Sequence, residues 1–395
     1  EGAWLHHAVE PLLVLHFSRR SQSAAGRGDH VVPVHFPFDA SIASAATIPS
    51  RLYTDPVYLE LEQERIFGRT WQLVGRAEQV LESGRFFTAD VAGEGIVVLR
   101  DGDSLRGFHN VCLHRAGMVA VGCGKRKTLQ CHYHGWTYNL QGDLIHAPEM
   151  EGVEHFSLAD MHLKPVQVAQ WGPLVFANLD LKAPPLKDFL EDIPDRAQHF
   201  RIDEMRYVMR REYVLNCNWK VYIDNYLEGY HIPVVHPGLH KEISYDEYRV
   251  EPHRYYSVQH APLRPASGSG EGRNYLPPEQ RGTADDQAQY YWLFPNIMLN
   301  VYLGQMQTNA ILPLGVDRTL TVFEWYSADP PDDVNADETW TRLLKFSDEI
   351  QVEDIEICEA VQKNLRSRVY DRGRYSVKRE NGVHHFHSLL HEFLT

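Results

Sequence analysis

The sequence predicts an α+β protein of two domains, and three observations predict it. Short apolar runs bounded by Gly, Asp and Pro recur from Trp71 to Leu179. Four more runs, 290–294, 298–303, 306–312 and 320–326, read as successive antiparallel strands. From Asp337 to about Arg368, apolar residues recur at helical spacing through Leu343, Phe346, Ile350, Cys358, Val361 and Leu365. With 395 residues the chain is long enough for two cores.

Residues 1–45 read as a tail or upstream extension, because the apolar run Leu12–Phe17 is too short to span a membrane and lacks a cleavage pattern after it. Residues 46–67 form a helical segment. Pro56 sits at its first helical position after Asp55, and Tyr58, Leu59, Leu61, Ile66 and Phe67 give it an apolar face. Residues 68–182 form a first, strand-rich domain, closed by the run Trp171–Leu179. Pro184-Pro185 marks the boundary, and 183–395 form the second domain. Within it, 260–289 is rich in Gly, Pro, Ser and charge, and reads either as a lid over the active site or as a plain surface loop.

A formal charge of −14 excludes a nucleic-acid surface and binding to acidic membranes, and suits a cationic substrate. Five Cys do not make a disulfide framework, and free Cys123, Cys217 and Cys358 fit a reducing, cytoplasmic setting.

The chemistry starts at Cys112-Leu113-His114 and Cys131-His132-Tyr133-His134, a C-x-H, sixteen residues, then C-x-x-H. Two Cys and two His fit zinc by ligand type. Yet a zinc finger usually takes both thiolates from one loop, whereas here each loop pairs one Cys with one His. A [2Fe–2S] centre needs that pairing when one iron takes two Cys and the other two His. Both loops are expected at the tips of β-hairpins.

Downstream, 218–232 reads as a helix with Trp219, Tyr222, Ile223, Tyr226 and Tyr230 on one face and Lys220, Asp224, Glu228 and His231 on another. Pro233 breaks it, so that His236 can fold back toward His231. Asp354 falls on the apolar stripe of the last helix, between Ile350 and Cys358, while Glu353 and Glu356 point to the polar side. A carboxylate on a buried face needs a partner, so Asp354 is either a metal ligand or half of a buried ion pair. His231, His236 and Asp354 together suit ferrous iron with open positions.

These motifs, C-x-H…C-x-x-H-G-W, N-W-K-x-x-x-D-N-Y-x-E-G-Y-H-x-x-x-x-H and E-D-x-x-I-C-E-x-V-Q, resemble the Rieske non-haem iron oxygenase α subunits, the ring-hydroxylating oxygenase family, over residues 50–395. The resemblance implies a β-rich Rieske [2Fe–2S] domain and a catalytic domain whose curved antiparallel sheet grips the long C-terminal helix. It implies that Cys112, His114, Cys131 and His134 hold the [2Fe–2S] cluster. It implies that His231, His236 and Asp354 bind a mononuclear Fe(2+), with O2 as co-substrate. Glu228, three before the first His, takes the place of the family's acidic electron relay, where many ring-hydroxylating members carry Asp. The resemblance further implies a homotrimer whose electrons cross between subunits. No flavin or NAD fingerprint occurs here, so NAD(P)H acts only through a separate flavin/iron–sulfur reductase.

Within the family, D-N-Y-x-E-G-Y-H-I-P-x-x-H-P and the tail from Gly373 to His387 look most like members acting on quaternary ammonium compounds, such as choline, glycine betaine, carnitine or stachydrine. Aromatic faces hold such cations, which makes Tyr226, Tyr222 and Tyr230 the expected cage. The expected reaction is hydroxylation of a carbon beside the ammonium nitrogen. An aromatic-ring hydroxylating dioxygenase is the alternative, and a non-catalytic electron-transfer Rieske protein is a second. His384, His385 and His387 suggest either another metal or a structural or interface role.

Overall fold

The structure, a computed structural model, describes residues 35–262 and 287–395, in two compact units. The predicted lid therefore lies outside the described residues except at its ends. Those ends are not loop: 260–262 and 287–289 continue strands that pair with each other.

The first unit spans 67–186. Its strands are β1 (Gln72–Arg76), β2 (Arg85–Val91), β3 (Glu94–Asp101), β4 (Ser104–His109), β5 (Cys123–Lys125), β6 (Leu129–Gln130), β7 (Thr137–Tyr138), β8 (Leu144–His146), β9 (Pro165–Trp171) and β10 (Leu174–Asn178). Seven of them form a sheet in the order β1-β10-β9-β4-β3-β2-β5, and β6-β7-β8 form a small second sheet. Ile96 to Leu99 are all fully buried because one face of β3 meets Val74, Val80 and Val175 and the other meets Phe86, Phe108 and Leu129. The smaller sheet and both cluster loops share that second core, which contains Cys112, Cys131 and Trp136.

The second unit covers the described residues up to Ile66 and then 187–395. Its helices are α1 (Arg51–Thr54), α2 (Pro56–Glu62), α3 (Leu186–Leu190), α4 (Ile193–Arg196), α5 (Trp219–Tyr226), α6 (Ile232–Val235), α7 (Pro237–Glu242), α8 (Glu338–Asn364) and α9 (Asn381–Leu394). A seven-stranded antiparallel sheet runs β11 (Arg206–Leu215), β17 (Arg318–Ser327), β16 (Gln305–Gly315), β15 (Ile297–Tyr302), β14 (Gln287–Leu293), β13 (Tyr256–Pro262), β12 (Arg249–Pro252) in spatial order. Every strand pairs with a sequence neighbour except β11, which closes onto β17 over nine residue pairs.

Residues 36–45 are not a free tail. Phe36 is fully buried against His391, and Phe38 stacks on His384 at 4.9 Å, so this segment packs on α9. Helix α9 itself was not expected, and its burial of Phe386, Leu389, Leu390 and Leu394 explains why it forms.

Candidate functional site

Two sets of ligand-type residues are built, one in each unit. In the first, Cys131 and His134 sit at the tip of the β6–β7 hairpin, whose register pairs Leu129 with Tyr138. Gly135 closes that turn at φ +77°, a conformation glycine adopts without a Cβ penalty. Cys112 and His114 differ from expectation. Their loop joins β4 to β5, but β4 pairs with β3 and β9 while β5 pairs with β2, so it is not a hairpin. Asn110 replaces the missing ladder. Its Oδ1 accepts from the amides of Val119 (2.9 Å) and Ala120 (3.0 Å), and its Nδ2 donates to Ala120 O (2.8 Å).

The His114 and His134 rings lie 4.5 Å apart, and His114 stacks on Trp136 at 4.9 Å. Cys112 and Cys131 are buried, and Tyr138 Oη lies 3.4 Å from Cys112 Sγ while accepting from Leu113 N. Burial pushes the Cys112 thiol up, and the nearby Cys131 adds to the shift. Such a thiol is a poor free nucleophile.

Two observations test whether these residues fit a [2Fe–2S] cluster. His114 Nδ1 is buried without any hydrogen-bond partner. A Cβ at Gly117 would lie 2.7 Å from Cys131 Sγ, so the loop leaves that sulfur its room only because position 117 is glycine. Two Cys and two His, one of each from each loop, are a donor set that fits such a cluster.

The second set begins at α5. Asn218 caps the helix, accepting from Lys220 N at 3.0 Å, and its own amide donates to Gln362 Oε1 of α8 at 2.9 Å. The helix ends at Tyr226, earlier than the apolar periodicity predicts. Position 229 is held to glycine because a Cβ there would lie 2.7 Å from the Tyr248 ring. Beyond the break, the Glu228 carboxylate accepts from the backbone amides of Tyr230 and His231. His231 and His236 then flank the single turn of α6 as its N-cap and C-cap, with Pro233 inside and Pro237 starting α7. This short turn brings the two imidazoles to 5.0 Å, ring to ring.

Asp354, from α8, completes the group. Its Oδ1 lies 3.0 Å from His236 Nε2 and 3.9 Å from His231 Nε2, and it accepts from Asn225 Nδ2 at 2.6 Å. Both Nε2 atoms thus face the carboxylate. Both Nδ1 atoms are bonded to other carboxylates: His231 to Glu228 at 2.5 Å, and His236 to Glu353 at 2.6 Å. Carboxylates behind imidazoles are the usual support of metal-bound histidine, fixing tautomer and ring orientation. Burial works against a charged His236, but Asp354 and Glu353 outweigh it and hold the imidazole above its ordinary value. Two imidazoles and one carboxylate fit ferrous iron with open positions.

Glu353 therefore corrects the sequence reading. Helical periodicity points it to the polar side, but α6 folds against that flank and supplies His236. The polar stripe of α5 also changes meaning. Lys220 is fully buried, and its Nζ meets Glu62 Oε1 at 2.6 Å while Trp219 Nε1 donates to Glu62 Oε2 at 2.7 Å. Asp224 accepts from Tyr53 at 2.6 Å and meets His387 Nε2 at 3.0 Å.

A cavity of about 190 Å³ opens on this second set. Tyr226, Tyr248, Tyr290, Tyr302, Phe323 and Trp325 supply aromatic lining, and Leu343, Phe346 and Ile350 of α8 add apolar lining. Tyr226 donates to Asn300 Oδ1 at 2.8 Å, and burial keeps Tyr226 and Tyr248 neutral phenols. Tyr222 also lines the cavity, with its hydroxyl on Gln351. Tyr230 does not line it and is 58% exposed, because the chain leaves the helical path after Tyr226.

His384, His385 and His387 do not converge on a metal. His384 bonds Asp39 O, His387 joins Tyr53, Tyr375 and Asp224, and half-buried His385 packs against Trp292, its loss of water pulling it down to about 4.

Comparison with known proteins meets this geometry. The ring hydroxylating alpha subunit (catalytic domain) family matches residues 202–395, and the Rieske [2Fe-2S] domain family matches 70–157. A chloroplastic choline monooxygenase of Arabidopsis thaliana is 38% identical over 89% of this chain and 83% of its own length. The carnitine monooxygenase oxygenase subunit of Escherichia coli (strain K12) is 32% identical over 92% of this chain and 97% of its own. The crystal structure of the quaternary ammonium Rieske monooxygenase CntA with L-carnitine superposes with a TM-score of 0.76 at 28% identity, over 89% of this chain and 96% of that one. Naphthalene 1,2-dioxygenase from Rhodococcus sp. shares the fold, with a TM-score of 0.67 at 19% identity over 88% of this chain and 93% of that one.

Proposed function

The chain belongs to the Rieske-type ring-hydroxylating oxygenase α subunits, and from that premise we propose that it is an oxygenase hydroxylating a carbon beside a quaternary ammonium nitrogen. The observation that carries this reading is the cavity: aromatic faces from β14, β15 and β17 surround a space that ends at His231, His236 and Asp354. A quaternary ammonium head has no N–H to donate, so it is held by ring faces, each contributing about 0.5–2 kcal/mol. Tyr226 and Tyr222 are the proposed cage residues from α5.

Cys112, His114, Cys131 and His134 are proposed as cluster ligands, within a domain over 68–182. His231, His236 and Asp354 are proposed as the iron ligands of the 183–395 domain. When bound, the cluster supplies single electrons and the ferrous iron supplies dioxygen activation. The chain's residues do the rest. Glu228 and Glu353 hold the Nδ1 atoms and so present both Nε2 atoms to one point. Asn225 fixes the Asp354 carboxylate. The apolar side of α8 keeps water from the methyl groups of the substrate. Hydroxylation of a methyl carbon yields a hemiaminal that loses formaldehyde, and hydroxylation of an alcohol carbon yields an aldehyde hydrate.

Glu228 is proposed as the electron relay, since its carboxylate bonds an imidazole of the iron set. Full coupled turnover in Glu228→Gln, with both metals bound, would rule that role out. A homotrimer, a separate flavin/iron–sulfur reductase and a cytoplasmic setting complete the proposal. No helix among the described residues is long and apolar enough to cross a membrane.

The test is a single turnover. The iron-loaded protein is reduced anaerobically and exposed to oxygen with choline, glycine betaine, carnitine, stachydrine or benzoate in separate reactions. Product from an ammonium compound is the expected result. Product from benzoate alone would make the chain a ring hydroxylase.

A further inference from the structure

We propose that the cavity takes a quaternary ammonium cation carrying an unbranched apolar chain of about six to eight carbons, its methyl groups toward His231, His236 and Asp354 and its chain laid along α8 as far as Leu343. The inference rests on the quaternary ammonium reading and goes one step past it, to the far end of the cation.

Length comes first. Leu343, Phe346, Ser347, Ile350, Gln351 and Asp354 all line the cavity, and their spacing puts them on one face of α8. At about 1.5 Å per residue, that stripe runs about 16 Å from Asp354 to Leu343. The facing wall follows it. A Cβ at Gly238 would lie 3.9 Å from the Phe346 ring, so α7 packs beside the stripe, about two turns from Asp354. Size agrees with length. A cavity of about 190 Å³ holds roughly a dozen water-sized groups. Choline would fill about half of that, whereas a trimethylammonium ion with a chain of about eight carbons would fill it.

The side chains along the cavity say what kind of chain it is. The acidic lining residues, Glu228 and Asp354, stand at one end with His231 and His236, and among the described lining residues there is no Lys or Arg. The lining carboxamides are bonded within the protein. Gln351 lies between the hydroxyls of Tyr222 and Thr321, Gln259 between the Tyr248 hydroxyl and the Tyr226 carbonyl, Gln307 donates to Asn309, and Asn300 accepts from Tyr226. The Gln305 oxygen is unbonded but shut off from the cavity. What remains is apolar. Leu239, Ile243, Ala261, Tyr290 and Tyr302 belong to one apolar cluster that lines the cavity, and the two Tyr hydroxyls meet each other at 3.2 Å. With Leu343 and Phe346 they give a hydrocarbon chain its contacts and give a carboxylate no cation.

Calorimetric titration of the cluster- and iron-loaded protein, held anaerobic, tests this with tetramethylammonium, carnitine and a series of alkyltrimethylammonium ions with chains of two to about ten carbons. Tetramethylammonium is expected to bind. Along the series, affinity is expected to rise about 2- to 4-fold per methylene and to level off near about eight carbons, where the stripe ends. The six-carbon ion is expected to bind about 10-fold or more tighter than carnitine, which has similar length but ends in a carboxylate. Leu343→Asp should flatten the series beyond about four carbons and leave tetramethylammonium unchanged, and Leu239→Asp on α7 checks this independently. A flat series in the unaltered protein, carnitine binding as tightly as the six-carbon ion, or a rise that persists in both variants overturns the proposal and leaves the ammonium reading standing. Failure of tetramethylammonium and the whole series to bind overturns both.

Discussion

The two ligand sets are assembled in opposite ways. The proposed cluster residues come from two loops within 23 positions, Cys112 to His134, joined by short strands, with both cysteines buried in one small core. The proposed iron residues come from segments more than a hundred positions apart, and nothing local links His236 to Asp354. The first set depends on turn chemistry: Asn110, Gly117 and Gly135. The second depends on long-range supports: Glu353 behind His236, Asn225 on Asp354, and Gln362 on the amide that starts α5. A local site tolerates loosening elsewhere in the molecule, whereas a non-local one holds its geometry only while the packed helices do.

The sharpest way to break the comparison is to remove one ligand from each set. His231→Ala should abolish iron binding in the second unit and lower turnover by more than about 100-fold, beyond the usual loss for a supporting residue. Its visible Rieske spectrum should remain. Cys112→Ala should do the reverse, losing the spectrum and keeping the mononuclear site. Loss of both centres in either variant would show that the sites are not independent.

Next in size, Glu62→Ala should cost about 3–5 kcal/mol of stability, because it leaves the fully buried Lys220 without its partner. Burial pushes Glu62 up and Lys220 down, so the site is sensitive to loss of either group. Chemical denaturation checks this, and iron occupancy should fall with stability while the cluster does not. Smaller is Glu353→Gln, which should weaken iron affinity by about 10- to 100-fold with near-normal stability, read by competition with a chelator. Gly117→Ala brings a Cβ to within 2.7 Å of Cys131 Sγ and should cost about 1–3 kcal/mol, seen as slower or incomplete cluster loading with iron affinity unchanged.

The smallest effect is on pH dependence. His385 is held neutral by burial, down to about 4 from an ordinary value of 6.5. The unfolded chain therefore binds a proton first as pH falls, and stability drops between about 6.5 and about 4. His385→Leu should flatten that part of the stability curve, measured by melting at successive pH values.

The same contrast explains what could be read from the sequence. The proposed cluster ligands can be named from the sequence because their chemistry is local: C-x-H and C-x-x-H offer the donors, and Gly135 marks the turn. What failed there was the hairpin at Cys112, since Asn110 does in one side chain what a strand ladder would do, and a lone Asn carries no such signal. For the iron set, the break at Pro233 and the position of Asp354 on the α8 stripe are visible in the residues. Glu353 is not, because periodicity describes one helix and cannot show which segment folds against its flank. The segment 36–45 and helix α9 support each other through Phe36, Phe38, His384 and His391, so neither reads as structure alone.

The central claim is that one chain carries two independent iron centres with the ligands named. The most direct measurement is iron per chain, by mass spectrometry of the reconstituted protein, in the unaltered form, in Asp354→Ala and in Cys112→Ala. The account predicts about three, about two and about one, since a [2Fe–2S] cluster contributes two and the mononuclear site one. Three irons retained in Asp354→Ala, with the cluster spectrum intact, would contradict it.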